Sequence, residues 1–394
     1  MNNWKKCKLG DICSKITDGS HKSPPSQTSG FPMASVKDME YNQINLNTCR
    51  KISKEDYLEL VASGCQPEIN DILIAKDGSY LKHVFRVRKK EELVLLSSIA
   101  IIRPILEQVC PQFLTYVFKN KRFIEEIETN YVTGAVIPRI VLRDFKEIEI
   151  TLPPLEEQRQ IAIILSSIDD KIELLHEQNK TLEKLAQTLF RHYFIENPNP
   201  SWQEKPLSDF GNIICGKTPS KNVDEYYNGD IPFIKIPDMH GNIFVFKTNE
   251  CLSELGSQTQ INKLIPKKSI CVSCIATVGM VSMNAFESHT NQQINSIIPK
   301  KEHYRYFLYL YMKHLYDYLQ SMASGGTATA NLNTRDFSNI HILMPDEEMM
   351  INFNGKTSEY FDKIFKNLEQ IQTLENMRDI LIPKLLNGEI KINN

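Results

Sequence analysis

Three short stretches of this sequence carry residue types that could do chemistry. GNIICGKT, Gly211 to Thr218, has the spacing G-x-x-x-x-G-K-[ST], in which backbone N–H groups cradle a nucleotide's phosphates. That chemistry needs a strand before the loop and a helix opening at the lysine. Pro219 follows at once and removes a donor, and PSKNVDEYYNGD has no helical pattern, so Lys217 and Thr218 read better as loop residues suited to phosphate or base contact. CVSC, Cys271 to Cys274, offers half of a zinc or redox site, but no second pair accompanies it and it reads as an apolar core strand. Pro345-Asp346 with Glu389 to Lys391 loosely imitates a metal nuclease, yet the two pieces flank a helix-like segment. Neither a glycine-rich S-adenosylmethionine loop nor an Asn/Asp-Pro-Pro-aromatic tetrapeptide is present, so methyl transfer by this chain alone is not expected.

A second set of residues suits recognition rather than catalysis: side chains able to hold phosphates or to make paired hydrogen bonds to base edges. In the first half these are Ser20, His21, Lys22, Lys76, Asp77, Ser79, Tyr80, Thr133 and Arg139. In the second half they are Lys217, Thr218, Ser220, Lys221, Thr277, Gln292, Gln293, Thr327, Thr329 and Asn331. Each alone reads equally well as solvated loop. As sets they gain weight, because they fall in equivalent loops of two copies of one unit.

The repeat shows in RDFKEIEITLPPLEEQ, Arg143 to Gln158, and its worn copy RDFSNIHILMPDEEMM, Arg335 to Met350, 192 positions later. Trp4 with LGD answers Trp202 with LSD at an offset of 198; VKDM answers IPDM at 200; DILIAKDGSYL answers SICVSCIATVG at 198; SIAIIRP answers QINSIIP at 195. Insertions therefore fall in the joining loops. INDILIA and EIEITL have strand length and partial alternation, while PQFLTYVFKNKRFIEEIE and YRYFLYLYMKHLYDYLQ look helical, so each half reads as a mixed α/β (α+β) domain of ordinary size.

After Pro153-Pro154, with Glu156 and Glu157 in the first turn, a heptad begins. Ile161, Ile168, Leu175, Leu182 and Leu189 form one row, with Leu165, Ile172, Asn179, Ala186 and Tyr193 in the other. Asn179 is the lone polar member, a device that fixes register. The second copy is looser: Ile364, Leu368, Ile371, Leu374, Leu381 and Leu385 supply a stripe that Pro383 should kink or end early. The two helices can bury their stripes against each other as an antiparallel coiled coil, giving a pseudo-dimer from one chain, with two globules related by an approximate twofold and suited to two half-sites on duplex DNA.

The charge distribution is consistent with that arrangement. The net charge of −2 over 394 residues hides two slightly basic blocks, +3 over residues 1–150 and +1 over 201–345, alternating with blocks of −3 over 151–200 and 346–394. So weak an excess implies that a partner supplies much of the phosphate binding. No run of apolar residues is long enough for a membrane span, the start lacks a signal peptide's apolar stretch, and nine scattered cysteines suit a reducing cytoplasm.

ITLPPLEEQRQIAIILSSIDDKIELL with NKTLEKLAQTLFRHYF resembles the conserved helical region of specificity subunits of Type I restriction–modification enzymes, and RDILIPKLLNGEI resembles the end of a second such region. TDGSHKSP (Thr17 to Pro24), GKTPS (Gly216 to Ser220) and SGGTATANLN (Ser324 to Asn333) are similar to motifs of that family's target-recognition domains. The resemblance implies a first recognition domain over 1–152, a spacer helix over 153–196, a second recognition domain over 197–344, and a second helix with its tail over 345–394. It further implies a non-catalytic reader of a bipartite target in double-stranded DNA. Two adenine methyltransferase subunits using S-adenosylmethionine would dock on the helices, which set the spacer. Restriction subunits using ATP and Mg would join them, with no cofactor on this chain. The alternatives are a coiled-coil scaffold with two protein-binding domains, or the specificity subunit of a related fused restriction system. The base sequence read is not legible, because readout depends on loop geometry and DNA shape.

Overall fold

In a computed structural model, the structure describes residues 4–40, 42–76, 83–131, 140–323 and 330–392. It falls into two compact units, Met1–Ile172 with Thr373–Asn394, and Glu173–Gln372. Both boundaries therefore cut through the long helices rather than beside them.

Among its described residues the first unit holds nine strands: β1 Lys5–Lys8, β2 Cys13–Asp18, β3 Phe31–Ala34, β4 Arg50–Ile52, β5 Ile72–Ala75, β6 Val84–Arg86, β7 Val94–Leu95, β8 Ile99–Pro104 and β9 Glu149–Leu152. They form an antiparallel sheet β2-β8-β5-β6, a mixed sheet β4-β3-β7 and the pair β1-β9. The ILIA of β5 and the IAII of β8 are buried on both faces, which explains their continuous apolar runs.

The second unit repeats this design with β10 Gln203–Pro206, β11 Gly211–Cys215, β12 Tyr227–Ile234, β13 Phe244–Val245, β14 Glu250–Leu252, β15 Ile270–Ser273, β16 Val281–Asn284, β17 His289–Thr290, β18 Ile294–Pro299 and β19 His341–Met344. Its sheets are β11-β18-β15-β16-β13, β14-β12-β17 and β10-β19. Register matches too: Ala75 faces Ile99 in the first copy, and Ser273 faces Ile294 in the second. The extra strand β13, parallel to β16, is an addition to the second copy. The VKDM and IPDM anchors are one device used twice. Asp38 Oδ2 accepts from Ser35 N at 2.8 Å, and Asp238 Oδ2 accepts from Lys235 N at 2.8 Å, each closing a tight turn behind the mixed sheet.

The first long helix, Leu155–Phe190, opens where Gln158 N reaches Pro154 O at 3.0 Å, with Glu156 and Glu157 on its positive end. Past Phe190 the helix widens to an i→i+5 turn over Arg191–Glu196, and Asn197 Nδ2 caps His192 O at 2.9 Å. Ile161, Leu165, Ile168, Ile172, Leu175 and Asn179 are buried. Beyond them Ala186 keeps its place in the heptad, but Leu182, Leu189 and Tyr193 are only partly buried, and Phe190 and Phe194 take the inner positions. The cause is a second packing partner. In the second unit Phe190 and Phe194 meet Tyr311 and Phe307 of the domain helix Arg305–His314, as well as Phe353, with ring centroids 4.9–6.4 Å apart.

The second long helix, Glu347–Leu386, likewise differs from its expected stripe. Ile364, Ile371 and Leu385 are buried, whereas Leu368, Leu374 and Leu381 are half-buried and Ile382 holds the inner place expected of Leu381. The stripe also begins earlier, at Met350, Phe353, Thr357 and Phe361; Phe361 stacks on Tyr306 at 4.3 Å. The helix runs on to Leu386, so Pro383 does not end it early. It stands in the last turn, where its ring deprives only one carbonyl, and the buried Ile382 and Leu385 hold that turn in place. Gly388, at φ 75°, then closes the end as the Asn387-Gly388 pair requires.

Asn179 is not the lone polar seam residue. Within the second unit Asn367 Nδ2 donates to Asn179 Oδ1 at 2.8 Å. Within the first, buried Asp169 accepts from Tyr116 Oη at 2.9 Å and from Arg378 Nη1 at 2.9 Å, with Lys119 Nζ 3.7 Å away. Each unit thus joins the two long helices antiparallel through a buried polar contact as well as apolar ones. Among the described residues, no helix is long and apolar enough to cross a membrane.

Candidate nucleic-acid interface

In both units the core sheet, four-stranded in the first and five-stranded in the second, ends in an edge where three loops converge, and a glycine makes this possible. A Cβ at Gly19 would lie 2.2 Å from the Leu95 carbonyl oxygen, and one at Gly216 would lie 2.2 Å from that of Thr290. Only glycine lets the chain pass so close to the neighbouring strand. The reward is a matched set of backbone bonds. Gly19 N reaches Ile99 O at 3.1 Å and Ser20 N reaches Leu95 O at 2.7 Å; Gly216 N reaches Ile294 O at 3.1 Å and Lys217 N reaches Thr290 O at 3.0 Å. Neither glycine could be picked out from sequence by periodicity. The signal was their equivalent place in two aligned loops.

In the first unit the loop leaving β2 carries Ser20, His21 and Lys22. Ser20 is buried, exchanging bonds with the Lys22 backbone at 2.9 and 3.0 Å. His21 is exposed, with Nε2 3.4 Å from Asp18 Oδ2. Lys22 is ion-paired with Glu59 at 2.7 Å. Lys76, at the exit of β5, is brought to the same edge but not to its surface: its side chain is 10% exposed and its Nζ lies 3.2 Å from Asp18. Asp18, which sequence reasoning passed over, thus ties the exits of β2 and β5 together. Asp77, Ser79, Tyr80, Thr133 and Arg139 lie outside the described residues, as do Thr327 and Thr329.

The second unit gives the fuller picture. The exit of β11 carries Lys217 and Thr218, the exit of β15 carries Thr277, the entry to β18 carries Gln292 and Gln293, and Asn331 joins them through its bridge to Ile275. Cys274 N donates to Gln293 O at 2.7 Å, Leu332 N to Cys274 O at 2.8 Å and Ala276 N to Ala330 O at 3.0 Å, so the loops brace one another. Ala276 sits at φ 64°, a strained position for a residue with a Cβ, and it presents the exposed Thr277. Thr218 Oγ1 donates to Gln292 Oε1 at 2.6 Å and fixes that exposed amide in one orientation. Asn291 Nδ2 does the same for Gln293 Oε1 at 2.9 Å. Ser220 is exposed, and Lys221 is held by Glu250 at 3.3 Å. Among the described residues the edge presents the exposed Lys217 beside hydroxyls and braced amides. That is a set able to grip a phosphate and to make paired hydrogen bonds to base edges.

The tempting motifs resolve into scaffold. Gly211–Cys215 is strand β11, paired residue for residue with Asn295–Pro299, so Lys217 and Thr218 leave a strand and open no helix. Cys271 and Cys274 lie buried in and just after β15, with burial pushing their thiols up to about 12 and about 11, far from the thiolate that a metal requires. Asp346 accepts from Trp202 Nε1 at 3.0 Å, which ties the start of the second long helix to the domain. Trp4 Nε1 likewise reaches Glu157 at 3.2 Å on the first. Among the described residues, no three His, Cys, Asp or Glu side chains form a group that could hold a metal.

Comparison with known proteins gives the same picture. The model of the type I restriction modification DNA specificity domain matches twice, over residues 1–184 and 199–377. The Type I restriction enzyme HindI specificity subunit of Haemophilus influenzae is 32% identical, covering 99% of this chain and 100% of that one. The MjaIX specificity subunit of Methanocaldococcus jannaschii is 28% identical over 72% of this chain and 70% of its own. The crystal structure of a Type-I restriction-modification S subunit from M. genitalium shares the fold, with a TM-score of 0.60 at 18% identity over 98% of this chain and 96% of that one. With two copies of the domain matched, each ending in its own loop-bearing edge and followed by its own long helix, the chain belongs to the family of Type I restriction–modification specificity subunits, the DNA-recognition components that are not catalytic by themselves.

Proposed function

We propose that each loop edge reads one half of a bipartite duplex target, the first through the exits of β2 and β5 and the second through Lys217, Thr218, Thr277, Gln292, Gln293 and Asn331. The observation that carries this reading is the reuse, in both units, of one glycine-dependent edge built from the same three strand ends. Within each edge the chemistry divides. Lys217 supplies a sequence-independent phosphate contact, while the braced amides of Gln292 and Gln293 suit base edges. The helices serve as docking surface for two methyltransferase subunits and as the element whose residue count sets the unread spacer. S-adenosylmethionine, ATP and Mg belong to the partner subunits, and the assembly works in the cytoplasm.

The weak charge excess of the two domains implies that the isolated chain binds DNA poorly and gains affinity only with its partners. The test uses this chain assembled with its modification subunits. Lys217→Ala should weaken binding evenly across sequences and lower the salt dependence by about one phosphate contact, whereas Gln292→Ala should relax choice at one or two positions of the second half-site. If both variants bind and methylate as the wild type does, this edge is not the reader. If no DNA is protected even with the partners present, the chain is a scaffold.

A further inference from the structure

The internal repeat provides a control for every position, and behind the loop edge the two copies disagree in chemistry. Register fixes the counterparts. Ile74 and Asp18 face Ala100 as Val272 and Cys215 face Asn295, and Ala75 faces Ile99 as Ser273 faces Ile294. The shared RDF makes Leu142 the counterpart of Thr334, one residue before it in each copy. Ala75, Ala100 and Leu142 of the first copy are thus Ser273, Asn295 and Thr334 in the second.

All three polar groups are used. Ser273 Oγ, fully buried, accepts from Met280 N at 2.9 Å and closes the turn that presents Thr277. Asn295 is 2% exposed, and its Oδ1 accepts from Thr334 Oγ1 at 2.9 Å. The same side chain lies against Cys274, whose thiol burial pushes up to about 11 while Asn295 opposes the rise. Asn333, next to Thr334, caps the short helix Thr334–Ser338 by accepting from Asp336 N at 2.9 Å, whereas Val141 of the first copy offers no side-chain cap. The backbone strut common to both copies is tighter in the second: Leu332 N reaches Cys274 O at 2.8 Å, and Ile140 N reaches Lys76 O at 3.4 Å.

Burying an amide carries a desolvation cost that the alanine of the first copy avoids, and a paired buried amide in return fixes one arrangement of the groups around it. Asn295 stands two residues past Gln293 on β18, beside the end of β15 that leads to Thr277 and beside the segment that carries Asn331. From this we infer that Asn295 is a positioning residue for reading the second half-site: through Thr334 and Cys274 it holds Asn331 and Thr277 in fixed register with Gln292 and Gln293. Buried as it is, it acts through these neighbours rather than on a base. The first domain, with Ala100 at the counterpart position, lacks this clamp. The inference rests on the loop edge being the reader, so its test carries a separate control for that reading.

The test sequences the sites methylated by the full chain assembled with its modification subunits, with scanning calorimetry of each variant. Asn295→Ala, which restores the residue of the first copy, should raise methylation of sites with one altered base in the second half-site at least tenfold relative to the original site, with choice at the first half-site unchanged. Thr334→Val, which keeps the shape of Thr334 and removes its hydroxyl, should do the same. Thr334→Ser, which keeps the hydroxyl, should read as the wild type does. Phe361→Leu loosens the helix packing against Tyr306 and Phe244, on the β13 side of the sheet, and should lower the melting temperature without relaxing choice. Gln292→Ala is the control for the reading: unchanged choice in that variant overturns the edge as reader and this inference with it. Relaxed choice in Gln292→Ala beside wild-type choice in Asn295→Ala overturns the inference alone. So does Thr334→Ser relaxing choice as far as Thr334→Val, or Phe361→Leu relaxing it as far as Asn295→Ala.

Discussion

Gly216→Ala isolates the loop edge from the rest of the molecule. The added Cβ would stand 2.2 Å from the Thr290 carbonyl oxygen and 2.3 Å from that of Asn291. Both are backbone atoms, so no side chain can swing away to relieve the clash. The exit of β11 must retreat by about 1 Å to reach an ordinary contact, and the bonds Gly216 N to Ile294 O at 3.1 Å and Lys217 N to Thr290 O at 3.0 Å are lost or stretched. Overpacking costs about 1–3 kcal/mol and each of the two backbone bonds about 1 kcal/mol, so roughly 3–5 kcal/mol is expected. For a unit of this size that is a fall in Tm of roughly 6–20 °C. Thr218 moves with the loop and releases the Gln292 amide, so the assembled methyltransferase should lose choice at the second half-site while keeping the first. Gly19→Ala should do the reverse. Scanning calorimetry and sequencing of methylated sites measure the two effects. A Gly216→Ala protein that melts within a degree of wild type and still methylates the original bipartite site would refute the reasoning.

Three further expectations follow from the helical contacts. Asp169→Ala removes the buried carboxylate shared by Arg378 and Lys119, leaving them Asp379 and Asn42, and should cost about 3 kcal/mol in denaturant unfolding of the first unit, with Asp169→Asn milder because it can still accept from Tyr116. Burial, only partly offset by Asp169, holds the Lys119 ammonium down to about 8 from its ordinary 10.5. Below pH 8 the charge is buried at full cost; between pH 8 and 10.5 the folded form sheds its proton while the unfolded chain keeps it, so stability rises. The stability of the wild type relative to Lys119→Met should therefore rise by roughly 3 kcal/mol across that window, and a flat difference would contradict the assignment. Adding one heptad to each long helix, near Asn179 and near Ile371, lengthens each by about 10 Å and should widen the unread spacer by roughly three base pairs, read by methylation sequencing, with both half-sites unchanged.

Much of this was legible in the sequence, and the failures have common physical roots. The repeat and the strand content were visible because strand cores alternate or run apolar whatever the loops do, so ILIA and ICVS align 198 residues apart. The start of the first helix was visible because proline and paired glutamates mark a positive helix end. The later seam was not, because a heptad count assumes one partner. Phe190 and Phe194 serve a domain helix as well as the other long helix, and Phe361 answers to Tyr306. Pro383 misled because a proline's cost depends on how many turns follow it, and here almost none do. Among the candidate readers, Lys217, Gln292 and Thr277 lie open at one edge, but Lys76 and Lys22 have carboxylate partners that sequence distance concealed. Asp18 and the two edge glycines were missed because their importance lies in a close approach between strands, which no local pattern records.

The claim that most needs testing is that the chain is two independent readers joined by helices. Residues 1–152 can be replaced by the equivalent domain of another specificity subunit, the hybrid assembled in cells with its modification subunits, and every methylated site sequenced. A new first half-site beside the original second half-site and spacer is the predicted result. Simultaneous change of both half-sites, or a changed spacer with the helices intact, would contradict it.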